Sequence, residues 1–260
     1  MGFYNLDKDQ RLQLVDKINK NILVDVQNEN SECIVTYCSD DDTYIRKTAY
    51  QAIGKIYKDY PNLQSRILKL LNTLFGSTNE RVRQTSINAA GEIGIRDFER
   101  VEHFFDIGLF DEHHCVRNAV IGSIKKMGEK NPKPILKWAK KYLHHVDKEV
   151  RREICHGIEL RGRTHPQDIL PLLEELQFDK TARVKNTLVH VLGQISYKKQ
   201  CLATVVEHLK SWDNRELVLQ ALNEIIDVHN RYKDFAILTQ EQAADYIDKH
   251  YERKDKWSGT

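Results

Sequence analysis

Two histidines stand where chemistry is conceivable. His156 and His190 are 34 residues apart, and each follows a polar side chain by four positions, Arg152 and Asn186. Positions four apart share one face of a helix. An imidazole, a guanidinium and an amide on such a face can donate hydrogen bonds to phosphate or carboxylate groups. Glu159 and Gln194 are close by in sequence and would let the same face carry a catalytic constellation. Metal chemistry finds less support. His113-His114 and His144-His145 are adjacent pairs that need not converge on one ion, and the five cysteines follow no zinc-site spacing. The expected metal and cofactor content is none.

These residues are positioned by a repeat. Its clearest copy runs from Asn79 to Gly94: a turn-forming lead, then Val82-Arg83, then a stripe of small and apolar residues. Related pairs are Ile45-Arg46, Val116-Arg117, Val150-Arg151, Val184-Lys185 and a degraded Leu217-Val218. Ile45, Val82, Val116, Val150, Val184 and Leu217 are 37, 34, 34, 34 and 33 residues apart. A period this regular predicts a repeat architecture in which neighbours bury one another's apolar faces. The expected fold is all-α: a HEAT-like α-α superhelix of about six helical pairs with terminal capping helices.

Along the chain, residues 1–28 read as an N-terminal cap, residues 29–230 as the repeats and residues 236–254 as a closing helix, all in one domain. Leu12, Val15, Ile18, Ile22 and Val26 give the cap its apolar stripe. Ala89-Ala90-Gly91 predicts close helix approach. Lys148 to Leu160 is expected to be one inner helix. Thr239-Gln240-Glu241-Gln242 has the form of a capping box, with its helix running to about Arg253 and Asp255 to Thr260 frayed.

Aligning the repeats on their anchors separates two kinds of position. Arg46, Arg83, Arg117, Arg151 and Lys185 recur at one place. Their expected work is structural, bridging to a carboxylate or to turn carbonyls, with Asp111, Asp147 and Asp179 as candidate partners. One residue later the row reads Lys47, Gln84, Asn118, Arg152, Asn186. Four residues beyond that it reads Gln51, Asn88, Gly122, His156, His190 and, in the weak copy, Asn223. Neither row holds an acid. Lys47, Gln84, Asn88, Asn118, Arg152, His156, Asn186 and His190 are therefore the candidate binding residues, on a concave groove. Trp138 is expected in the core, whereas Trp212, at a helix end beside Asp213, is expected to be more open.

Composition narrows the setting. The 260 residues carry 40 Lys+Arg against 38 Asp+Glu, a formal net charge of +2, which neither demands nor excludes nucleic acid. No stretch reaches membrane-spanning length, and the first residues lack a basic region followed by an apolar run. A monomeric, soluble, cytoplasmic protein with reduced thiols is expected.

The periodic pattern resembles HEAT repeats. The stretch from Trp138 to Trp212 is similar to a narrower group, the HEAT-like DNA alkylation repair glycosylases AlkC and AlkD. It holds a Trp, Val150-Arg151-Arg152, Gly157, Pro171-Leu172-Leu173-Glu174-Glu175-Leu176 and Asp179, then Val184-Lys185 and the closing Trp212. That resemblance implies duplex DNA as partner and excision of alkylated bases, with acidic and aromatic groups stabilising positive charge on the sugar. The chain departs from the pattern at both acids: His156 stands at one position and Gln194 at the other. A neutral Gln194 lacks the field of a carboxylate. The resemblance then implies lost chemistry, or an acid supplied by Glu159 or Asp213 with Trp212 beside it. Three functions remain open: a DNA-binding HEAT-like protein with or without catalysis, a protein-interaction scaffold, and an active alkylated-base glycosylase.

Overall fold

Asp7 opens the first long helix. Its carboxylate accepts the Gln10 amide at 2.8 Å, and the Gln10 side chain accepts the Asp7 amide at 3.1 Å, which closes a capping box. The computed structural model describes residues 2–251. The expected fraying from Asp255 to Thr260 lies outside the described residues, while the closing helix, expected to run to about Arg253, ends at His250 with Tyr251 as its extended cap.

Contacts gather the chain into two compact units, one ending at Pro134 and one beginning at Ile135. In the first, a short 3-10 turn (Phe3–Asn5) precedes α1 (Lys8–Gln27), α2 (Glu32–Ser39), α3 (Thr43–Asp59), α4 (Gln64–Phe75), α5 (Glu80–Asp97), α6 (Glu102–Gly108) and α7 (His114–Lys130). The boundary falls within α8 (Pro132–Tyr142). The second unit continues with α9 (Lys148–Gly157), α10 (Glu159–Gly162), α11 (Leu170–Glu174), α12 (Ala182–Gln194), α13 (Cys201–Leu209), α14 (Arg215–Arg231) and α15 (Gln240–His250). The architecture is all-α, in repeated helical pairs, and no strand occurs among the described residues.

Each anchor-bearing helix packs on the next within its unit, α3 on α5 and α5 on α7, then α9 on α12 and α12 on α14, and the cap helix α1 packs on α3. Val82, Val116, Val150, Val184 and Leu217 are all buried between them. Gly91 shows why the stripe is small. A Cβ there would meet the Ser123 hydroxyl at 2.5 Å, so any side chain would force α5 and α7 apart.

The recurring Arg is a clamp. The Arg83 guanidinium donates to both carboxylate oxygens of Asp111 at 2.9 and 3.0 Å, and its third nitrogen donates to the carbonyls of Ser77 and Thr78. Arg151 repeats this on Asp179 at 2.5 and 3.2 Å, with the carbonyls of His145 and Val146. Arg46 and Arg117 hold the corresponding turn carbonyls of Asp40 and Asp41, and of Asp111 and Glu112. One planar fork thus ties a helix start to its own turn and to the next repeat. Asp147 instead caps α9 through the Glu149 amide. Lys185, lacking the fork, forms no ion pair among the described residues.

Two expectations are corrected. The inner helix expected from Lys148 to Leu160 stops at Gly157, and a separate turn, α10, begins at the buried Glu159. Trp212 is fully buried rather than open, and its indole donates to His208 Nδ1 at 3.0 Å, so its one polar atom is satisfied inside the core. The closing helix is capped as expected, with Thr239 and Gln242 exchanging side-chain bonds. Thr239→Ala is expected to lower stability by about 1 kcal/mol, read from a urea-denaturation midpoint.

Candidate functional site

In the second unit α9 and α12 present the expected rows side by side. Val150 and Ile154 on α9, and Val184, Leu188 and Val191 on α12, turn inward and are buried. The opposite face of each helix is left to the polar positions. Arg152 and His156 from α9, with Arg183, Asn186, Thr187 and His190 from α12, line one open depression of about 340 Å³. The His156 and His190 rings lie 6.4 Å apart between centroids. Arg183 and Thr187 stand outside the expected rows. Each precedes a row member in the same helix by three residues, so helical spacing alone could have found them.

The electrostatics differ from what the rows suggest. Neither row carries an acid, but acids stand beside them. Arg152 Nε donates to Glu149 at 3.0 Å, and its Nη2 bonds Glu153. Arg183 pairs with the other oxygen of Glu149 at 3.3 Å. His156 Nδ1 lies 2.9 Å from Glu159, and His190 Nδ1 lies 3.6 Å from Glu224. Both arginines are therefore already paired with carboxylates, which flank a depression whose own lining holds no acid.

Behind His156 lies a buried polar knot. Glu159, only 1% exposed, accepts from Arg163 Nε and Nη2 at 2.9 and 2.5 Å, and the same Nη2 donates to Gln194 Oε1 at 3.0 Å. Burial pulls Arg163 down, but the Glu159 carboxylate more than offsets this and holds it above its ordinary range. Gln194 Nε2 is buried without a hydrogen-bond partner among the described residues. Two of the four catalytic candidates, Glu159 and Gln194, thus meet through Arg163. The other two stand at the turn after α13: Trp212 is bound to His208, and the exposed Asp213 donates its amide to Gln177 Oε1 at 2.9 Å. Gln177 also accepts the Asn214 amide, so this buried side chain, which no sequence pattern marks, staples the turn.

In the first unit Lys47 and Gln51 line a separate pocket of about 390 Å³, with Phe3, Tyr4, Tyr44 and Lys55. Phe3 stacks on Tyr44 at 5.8 Å, Tyr4 meets Tyr44 edge-on at 4.4 Å, and Arg11 lies over the Tyr4 ring at 5.3 Å. Tyr4 is 61% and Tyr44 42% exposed. The Phe3 amide donates to Asp42 at 2.5 Å, which holds the aromatic segment against α3. Lys47 and Lys55 form no ion pair among the described residues. Gln84 and Asn88 are half-buried on α5, and Asn118 is exposed on α7. Farther along this unit, His113, His114 and Cys115 bring ligand atoms within 4.8 Å of one another. No described helix is long and apolar enough to cross a membrane.

No protein-family profile matches the chain, and no curated protein matches it. Solved structures do. AlkD2 from Streptococcus mutans is 17% identical with a TM-score of 0.52, over 85% of this chain and all (100%) of that one. A TOG domain structure of Crescerin is 16% identical with a TM-score of 0.50, over 81% of this chain and 92% of that one. Yeast importin-β (Kap95p) is 13% identical with a TM-score of 0.47, over 85% of this chain and 34% of its own, so the chain spans about a third of its length. At these identities the likeness is one of fold: the chain resembles HEAT-repeat proteins.

Proposed function

We propose that the protein is a HEAT-like interaction module whose α9–α12 face receives a segment of a protein partner. The observation that carries this reading is the pairing of Arg152 and Arg183 with Glu149 and Glu153. Duplex binding draws its affinity from free cations that release condensed counterions from phosphate. Cations already held by carboxylates contribute little of this, and a phosphate backbone would lie against Glu149 and Glu153. A peptide has no such difficulty. Its carbonyls and carboxylates can accept from Asn186 and the arginines, while its own donors meet the glutamates.

Two measurements test this. Duplex DNA titrated into the protein at about 100 mM salt is expected to give no saturable binding. The triple variant Arg152→Ala/Asn186→Ala/His190→Ala is expected to lose a partner protein that the wild type retains on an affinity column. Saturable duplex binding with a steep salt slope, abolished by that variant, would overturn the proposal.

One observation favours a second reading, nucleic-acid contact in the first unit. Exposed Tyr4 and Tyr44 beside Lys47 and Lys55, which no acid neutralises among the described residues, combine stacking faces with free cations. If that contact forms, Lys47→Ala/Lys55→Ala flattens the salt slope of oligonucleotide binding by about 2, one for each lysine taken from a phosphate. Base excision has the least support. Glu159 is committed to Arg163, Gln194 is neutral, and Trp212 has no face open to a base.

A further inference from the structure

We infer that His113, His114 and Cys115 form a surface site for a borderline-soft transition-metal ion of the zinc class. Two imidazoles and a thiolate are ligands that zinc takes with its fourth position left open to water. The same set disfavours magnesium and calcium, which require oxygen. Distances agree with this. His114 Nε2 lies 3.5 Å from Cys115 Sγ. A zinc ion about 2.0 Å from nitrogen and 2.3 Å from sulfur, at a tetrahedral angle, needs those two atoms roughly 3.5 Å apart.

The third ligand is near and its backbone is held. The His113 and His114 rings stack with centroids 4.8 Å apart, and one ligand atom from each of the three residues falls within 4.8 Å of the others. Closing that span needs side-chain rotation of about 1 Å, which exposed or half-buried groups supply at little cost. Asp111, fixed by Arg83, accepts the His113 amide at 2.8 Å and so sets the backbone from which the ligands project. His113 caps α7 by accepting the Cys115 amide on Nδ1, and its Nε2 remains for a metal. On binding, the Cys115 thiol releases one proton and becomes the thiolate ligand. No electron is transferred.

Titration of the full chain with Co2+ tests the site, because cobalt coordinated by a thiolate shows a near-ultraviolet charge-transfer band. The expected result is a band saturating at one equivalent, bleached by Zn2+, absent in Cys115→Ser and weakened about tenfold or more in affinity in His114→Ala. His113→Asn keeps an acceptor at the helix cap and is expected to weaken binding similarly. Absence of the band, its persistence in Cys115→Ser, or wild-type affinity in both histidine variants would overturn the inference. The last of these would mean a lone thiolate. Circular dichroism of each variant separates ligand loss from unfolding.

Discussion

Arg151→Ala is expected to destabilise the protein by about 3–5 kcal/mol, one of the largest effects of any single polar substitution. The reason is what it leaves behind. The Asp179 side chain is 5% exposed, and Arg151 supplies it with two charge-assisted bonds. Removing the guanidinium leaves that carboxylate with only the Thr181 amide and hydroxyl as donors, both on one oxygen, and frees the carbonyls of His145 and Val146. Arg151→Lys should recover only part of the loss, since an ammonium cannot span both oxygens and both carbonyls. The acid side carries the same signature. Burial raises Asp179 and Asp111, but bonds from Arg151 and Arg83 and from the following amides hold both below the usual carboxylate range. Their stabilisation is complete above about pH 4, the unfolded value, and is lost as pH falls through the lower folded values. In Arg151→Ala that contribution is reduced, so the stability lost relative to wild type is largest near neutral pH and narrows as pH falls below about 4. A loss of the same size at pH 7 and at about pH 2 would show that the Arg151–Asp179 charge pair contributes nothing.

Trp212→Ala is expected to cost a similar amount, about 3–5 kcal/mol, by opening a cavity in the second unit. The ring is wholly buried, and its Nε1 bond to His208 is satisfied. For a chain of this size the loss lowers Tm by roughly 10 °C. Trp212→Phe keeps most of the apolar volume and gives up the indole bond, so its cost is smaller, about 1–2 kcal/mol. An alanine variant with unchanged Tm but altered binding to a base would return Trp212 to a working site.

The repeat was legible in the sequence because it is periodic, and so was the structural use of its arginine. Asp111 and Asp179 stand 28 residues beyond Arg83 and Arg151, a spacing that follows from the repeat itself. The rows at Arg152, His156, Asn186 and His190 were legible for the same reason and do line one depression. Its charge was not. Glu149 and Glu153 lie three residues before and one after Arg152, outside both rows, and whether they turn to the arginine depends on rotamers rather than on period. The burial of Trp212 was hidden because a position just past a helix end reads as open, and neither the periodicity nor the neighbouring Asp213 marks it as core. The aromatic group of Phe3, Tyr4 and Tyr44 depends on the first residues folding back onto α3 through Asp42, a contact 39 positions long that no local pattern announces.

A photo-cross-linking side chain at Thr187, in the depression between α9 and α12, tests the central claim most directly. In cells, the reading of this face as a protein-binding surface predicts a discrete protein adduct that survives nuclease. It also predicts that the adduct disappears when Arg152 and Asn186 are replaced and is not formed from Gln167, outside the depression. A nuclease-sensitive adduct from Thr187, or no adduct beyond that formed from Gln167, would contradict it.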